Sequence, residues 1–327
     1  MESAAVRRSP FVAEAPPSLS PLKFRDPRRT ARGEARAAVA LERLDTLWFN
    51  TGTLCNLTCL NCYIESSPTN DALVYLTAAE VGAYLDEIAS LGWAVREIGF
   101  TGGEPFLNRD APDMLADALE RGYEALVLTN AMRPMLRPRV KAALLQLRMR
   151  HGNRLTLRVS LDHHTAAVHD AERGAGAWAG VLEGLAWLRD HGFRVAVAGR
   201  SIAGESEAEA RAAYAELFAD LVLPVDALDP GALVLFPEMD ARVDVPEITE
   251  ACWGILGKAP ASVMCASSRM VVKRKGAERT SVTACTLLPY DPQFDLGPTL
   301  AGAGGPVPLN HPHCAKFCVL GGASCSG

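Results

Sequence analysis

Between residues 45 and 236, short apolar segments alternate with amphipathic helices, and few folds accept that rhythm. Strands are expected over 46–50, 97–101, 125–129, 155–161, 193–198 and 232–236. Helices are expected near 77–91, 111–121, 137–150, 178–191 and 206–221. Thr77 followed three residues later by Glu80 has the form of a capping box at the first helix start. Strand–helix alternation of this kind builds βαβ units and a parallel sheet. Right-handed crossovers let such a sheet curl toward a barrel. Six units are too few to close the eight-stranded form. The expected fold is therefore α/β: a partial (β/α)6 TIM-like barrel over residues 45–237, open at the side, with ligands at the carboxyl ends of the strands.

The flanks read differently. Residues 1–44 are rich in Ala, Arg and Pro with little hydrophobic periodicity. They are expected to be a partly disordered N-terminal extension. After residue 237 the alternation stops; 238–260 reads as a linker, and 261–327 as a small Cys-rich C-terminal extension. That extension has little apolar surface to bury, so a metal centre would stand in for a core. The whole chain is 49% hydrophobic and 22% charged, a profile with enough apolar residues for a normal core. It has no run of 18 uninterrupted apolar residues, which gives no reason to expect a membrane span. No apolar signal core precedes the barrel, so a cytoplasmic protein is expected. A formal net charge of −5 argues against nucleic acid as the main partner.

The chain has nine cysteines, and they are not scattered. Three lie at Cys55, Cys59 and Cys62; six lie at Cys252, Cys265, Cys285, Cys314, Cys318 and Cys325. In a reducing compartment grouped thiols are more readily metal ligands than disulfides. The first group reads Cys55-Asn-Leu-Thr-Cys59-Leu-Asn-Cys62-Tyr63, on a loop that follows a strand. A four-iron cluster needs four outer ligands, so three thiolates leave one iron open to chelate a small molecule. A structural zinc ion would want a fourth protein ligand, and none is near in sequence.

The Cys-x3-Cys-x2-Cys spacing followed by an aromatic resembles the signature of the radical SAM superfamily. The resemblance implies a [4Fe–4S] cluster on Cys55, Cys59 and Cys62 that binds S-adenosylmethionine. Thr101-Gly102-Gly103-Glu104-Pro105 follows the second strand, where that superfamily carries its Gly-Gly-Glu motif. There Gly102 and Gly103 would let the backbone approach the methionine amino group, and Glu104 would accept hydrogen bonds from it. Thr129 and Asn130 end the third strand and would meet the ribose. Ser160 and Asp162 end the fourth. Arg200 ends the fifth and would pair with the methionine carboxylate. Each of these can instead serve as a helix cap or turn former. Tyr63 would pack near the adenine or line the core. His169-Asp170 and Arg173-Gly174-Ala175-Gly176 resemble a segment common in radical SAM enzymes that modify peptides and proteins. This segment reads as a polar, Gly-rich loop at the barrel mouth, either a substrate contact or a brace. No side chain is assigned a chemical step of its own.

In the tail, Cys265 and Cys285 flank two strand-like segments, 270–273 and 281–283, separated by Gly276. A hairpin would bring the two thiols together on one metal. This resembles the SPASM extension or its shorter twitch form, and implies one auxiliary [4Fe–4S] cluster completed by Cys314 with Cys318 or Cys325. The full SPASM form has seven cysteines here and two clusters; five thiols suffice for one. A four-thiolate zinc site remains the alternative, and His311 or His313 could serve a partial second cluster. Cys252, followed by Trp253, reads as a small core residue. The implied activity is reductive cleavage of S-adenosylmethionine to a 5′-deoxyadenosyl radical that abstracts hydrogen from substrate. The expected outcome is an oxidative modification of a peptide or protein. A radical SAM dehydrogenase or similar enzyme on a small molecule is the alternative. A non-catalytic iron–sulfur electron carrier would have no use for the Gly-Gly-Glu motif. An external one-electron donor such as flavodoxin or ferredoxin is also implied.

Overall fold

The computed structural model describes residues 18–201, 204–237, 240 and 242–322. In chain order its regular elements are β1 (Ala38–Val39), β2 (Thr46–Asn50), α1 (Ala78–Leu91), β3 (Glu97–Thr101), α2 (Ala111–Glu120), β4 (Glu124–Thr129), α3 (Pro138–His151) and β5 (Leu155–Ser160). There follow α4 (Ala166–Arg173), α5 (Ala177–Asp190), β6 (Arg194–Ser201), α6 (Glu207–Asp220), β7 (Leu233–Pro237), α7 (Cys252–Leu256), β8 (Ser268–Val272), β9 (Ser281–Thr283) and β10 (Val307–Pro308). Strands β2 to β7 lie side by side in chain order and all run parallel, the partial barrel that the alternation implies. Every one of these strands therefore points its carboxyl end to the same rim.

Local chemistry sets the helix ends. Thr77 Oγ1 accepts from Glu80 N while the Glu80 carboxylate accepts from Thr77 N, which is the expected capping box. Ser206 and Glu209 do the same for α6. The main core lies between the sheet and the helices, with Phe49, Ile98, Phe100, Val127, Leu157 and Val197 from the strands all essentially buried.

Three features depart from the sequence reading. First, α4 stands where a loop was expected. Its eight residues bury little beyond His169, so no apolar stripe announces it. Second, β8 pairs in parallel with β2, from Thr46↔Ser268 to Phe49↔Val271, and β9 returns antiparallel. The tail hairpin thus extends the barrel sheet to eight strands, and Trp48 of β2 packs in one cluster with Met264, Met270, Val272 and Phe317 of the tail. Third, residues 18–44 are packed. Ala37 and Val39 are fully buried, β1 pairs with β10, and Arg36 forms a buried ion pair with Glu247. Polar anchors and isolated bridges to residues 243 and 249 hold this segment, so it shows no hydrophobic period. Residues 1–17, also expected to be loose, lie outside the described residues. Among the described residues no helix is long and apolar enough to cross a membrane.

Candidate metal and cofactor site

The chain leaves β2 at Asn50, whose Oδ1 accepts from Gly52 N at 3.0 Å and turns the backbone over the rim. Thr53 N then donates to Leu73 O, and Cys55 N to Ser67 O, so the cysteine loop folds back on itself. Cys55, Cys59 and Cys62 all open onto one cavity at the strand carboxyl ends. Burial pushes the Cys55 thiol up to about 12 and raises Cys59 as well. Such thiols ionise at neutral pH only against a strong positive partner, which a metal centre supplies.

The Gly-Gly turn has a packing role that its sequence did not announce. Gly102 has φ +142°, and a Cβ there would lie 2.5 Å from Gly52 O. A Cβ on Gly103 would lie 2.2 Å from Leu54 O. The glycines are needed because this turn is pressed against the cysteine loop, with Gly103 N donating to Gly52 O and Glu104 N to Leu54 O. Both glycines also border the cavity. Glu104 does not. Its Oε1 accepts from Phe106 N and Thr129 Oγ1, and its Oε2 from Asn130 N at 2.8 Å. Those bonds join the Gly-Gly turn to the end of β4. Burial pushes its carboxyl up to about 7, against the pull of those hydrogen bonds.

The other named residues gather around the same cavity. Thr129, Asn130, Ser160, Asp162, Arg200 and Tyr63 all border it. Asn130 Nδ2 also donates to Asn56 Oδ1 in the cysteine loop. Asp162 is gripped by Arg173 through two bonds of 2.8 and 2.9 Å, and by Arg200 Nε at 3.3 Å. Burial works to raise the Asp162 carboxyl, but Arg173 and Arg200 outweigh it and hold it below the ordinary range. Arg200 donates to Asn61 O and lies 4.9 Å over the Tyr63 ring. Its Nη1 is buried with no hydrogen-bond partner among the described residues. Tyr63 donates to Pro237 O and packs edge-on against Phe236 and Phe317, so it links barrel to tail. Arg173 was not among the expected ligand contacts; it reaches the cavity from α4, the helix the sequence hid. His169 is fully buried against Trp178, and Asp170 accepts from Gly176 N and Trp178 N. That pair braces the turn into α5.

The tail holds a second cavity bordered by Cys265, Cys285, Cys314 and Cys318. Cys314 and Cys318 sit on a π-helical turn, Cys314–Leu320. Burial raises Cys265 to about 11 and holds Cys314 well above the ordinary thiol range, Cys314 also feeling Cys285 and Cys265. His313 borders this cavity as well. Cys252 stands apart, its Sγ accepting from Thr249 N. Cys325 lies outside the described residues. Four thiolates on one zinc ion at about 2.3 Å would sit about 3.8 Å from one another. Among the described residues no three cysteine sulfurs lie mutually within 4.8 Å. Among the described residues neither cysteine group is preformed at the spacing of a single tetrahedral ion. Leu287 borders both cavities.

Residues 49–217, just over half of the chain, match the radical SAM superfamily, and the chain belongs to that superfamily. Among curated proteins it is similar to the antilisterial bacteriocin subtilosin biosynthesis protein AlbA of Bacillus subtilis, at 32% identity over 145 residues, 44% of this chain and 30% of AlbA. It is also similar to the AdoMet-dependent heme synthase of Nitratidesulfovibrio vulgaris, at 30% identity over 142 residues, 42% of this chain and 35% of that enzyme. The matches thus span only about a third of these relatives. Streptococcus suis SuiB, solved bound to S-adenosylmethionine, shares the fold with a TM-score of 0.57 at 11% identity, over 78% of this chain and 63% of SuiB.

Proposed function

We propose that this chain holds a [4Fe–4S] cluster on Cys55, Cys59 and Cys62, binds S-adenosylmethionine beside it, and carries out an oxidative modification of a peptide or protein. The observation that carries this reading is the shared cavity: three thiols, one short of the four ligands a structural zinc ion takes, face it together with Gly102, Asn130, Ser160 and Arg200. When bound, the cluster would supply the electron that breaks S-adenosylmethionine into methionine and a hydrogen-abstracting 5′-deoxyadenosyl radical. The Arg200 Nη1 donor suits the methionine carboxylate. Asn130 and Ser160 offer hydrogen bonds to the ribose, and the Gly102–Gly103 backbone borders the same space.

Cys265, Cys285, Cys314 and Cys318 would hold an auxiliary [4Fe–4S] cluster. Four protein thiolates saturate four irons and leave none for substrate, so the role that fits is accepting an electron, as a net oxidation requires. An external one-electron donor such as flavodoxin or ferredoxin would reduce the first cluster, in a cytoplasm that keeps free thiols reduced. The peptide assignment rests on the similarity to a bacteriocin biosynthesis protein and on the His169-Asp170 and Arg173–Gly176 segment. A second reading, action on a small molecule, draws on the similarity to a heme synthase.

Reduced, reconstituted protein with S-adenosylmethionine should release 5′-deoxyadenosine, and Cys59→Ala should abolish that release. Retained activity in Cys59→Ala would overturn the assignment. Cys285→Ser should lower iron from about eight to about four per chain while the first cluster persists. Unchanged iron would remove the tail cluster from this account. Deuterium transfer into 5′-deoxyadenosine from a labelled peptide encoded beside this chain supports the first reading; transfer from a labelled small molecule supports the second.

A further inference from the structure

We propose that His163, His164 and Glu205 form a binding site for a divalent first-row transition metal such as Zn2+, separate from both cysteine groups. The two histidines follow β5, and Glu205 stands just before the Ser206 cap of α6. The site therefore lies at the strand carboxyl ends and would tie two rim loops together.

The geometry is specific. The two imidazoles stack with centroids 3.9 Å apart and planes 30° apart, and the Tyr214 ring abuts His164 edge-on. Both Nε2 atoms face Glu205: His164 Nε2 lies 2.7 Å from Oε1, and His163 Nε2 lies 3.7 Å from Oε2. One ligand atom from each residue lies within 4.8 Å of the other two. Two nitrogen or oxygen ligands about 2.1 Å from a tetrahedral ion would be about 3.4 Å apart, so closure needs only small side-chain shifts.

A simple His164–Glu205 hydrogen bond explains one distance and leaves the rest. Glu205 Oε2 is buried without a hydrogen-bond partner among the described residues. A buried carboxylate oxygen in that condition is costly. Its separation from His163 Nε2 is too long for a hydrogen bond. A shared cation satisfies both atoms. His163 Nδ1 lies 2.8 Å from Thr165 Oγ1 and 3.0 Å from Thr165 N. Donation from Nδ1 to the hydroxyl frees the Nε2 lone pair for the metal, the usual outer support of a histidine ligand. Acceptance from Thr165 N describes the tautomer without metal. Two imidazoles and a carboxylate suit zinc, cobalt or nickel better than calcium or magnesium. Three protein ligands leave one position open.

The test uses the full chain with its iron–sulfur centres reconstituted, so that the thiols are occupied. Isothermal titration with Zn2+ should show one tight equivalent. Glu205→Gln and His164→Gln should each weaken it by about 100-fold or more, with iron and sulfide content unchanged. Zinc X-ray absorption should show nitrogen and oxygen neighbours with an imidazole signature. The proposal is overturned if the wild type binds no zinc, if both variants retain wild-type affinity, or if the bound zinc has sulfur neighbours. Should one variant lose its iron and fold, the other and the absorption spectrum still decide. The outcome is independent of S-adenosylmethionine cleavage, which the release of 5′-deoxyadenosine reads separately.

Discussion

The contact between the Gly-Gly turn and the cysteine loop gives a sharp mutational expectation. In Gly103→Ala the new methyl would sit 2.2 Å from Leu54 O and 2.7 Å from Thr53 O, both backbone atoms that cannot rotate away. A carbon–oxygen contact relaxes at about 3.3 Å or more, so the turn and loop must part by roughly 1 Å. That movement breaks the bonds Gly103 N to Gly52 O and Glu104 N to Leu54 O, at 2.8 and 3.1 Å. At about 1 kcal/mol for each bond and about 1–3 kcal/mol for overpacking, the cost is about 3–5 kcal/mol. With an unfolding entropy of about 2.1 cal/mol/K per residue, Tm should fall by roughly 4–7 °C. The same movement displaces Cys55, so iron bound at the triad should fall too. Gly254→Ala is the control: that glycine lies within α7 with nothing inside 4 Å of an added Cβ. It should be neutral or stabilising by up to about 1 kcal/mol. Differential scanning fluorimetry with iron and sulfide analysis reads both variants. A Gly103→Ala protein with wild-type Tm and full iron would refute the argument that the glycines serve this contact.

Other expectations follow from buried charge. Glu104 has a folded-state value near 7, above its ordinary 4.5, so its contribution to stability is fully present below pH 4.5 and is lost as pH rises through about 7. Over that window the loss is on the order of 3 kcal/mol; the difference in Tm between wild type and Glu104→Gln, followed from pH 4.5 to 7.5, should shrink in favour of the variant, and a pH-independent difference would count against it. Arg36→Met strips the buried Glu247 of its ion-pair partner and should cost about 3–5 kcal/mol. Limited proteolysis should then cut first between residues 18 and 44, and an unchanged digestion pattern would show that the pair does not anchor this segment.

The repeating part of the fold was legible because its signals are local. Strands β2 to β7 each carry their own apolar run, and Thr77 with Glu80 announce the first helix start within four residues. That Cys55, Cys59 and Cys62 would face one cavity was legible because they are close in sequence. What the sequence hid was non-local or polar. Nothing in residues 268–272 states that they will lie beside residues 46–50, because parallel pairing across so long a separation has no turn to mark it. Arg173 and Asp162 meet only because α4 forms, and that helix is short and fully buries only His169. The bonds that the Glu104 carboxylate accepts from Thr129 and Asn130 were hidden because those donors arrive from the end of β4, about 25 residues away. Residues 18–44 looked loose because their anchor, Arg36 to Glu247, joins positions more than two hundred residues apart.

The pairing of β8 with β2 bears on how the protein is made. Strand β2 leaves the ribosome early, but the neighbour that covers its open side begins at Ser268, about 220 residues later. At about 5–20 residues per second the nascent chain carries an uncovered strand edge for roughly 10–40 s. Such an edge is a template for pairing with other chains. A chain cut short before residue 268 would keep that liability permanently. The cysteine-rich tail is thus, whatever it binds, the last piece of the sheet, and truncations designed to isolate the barrel should aggregate.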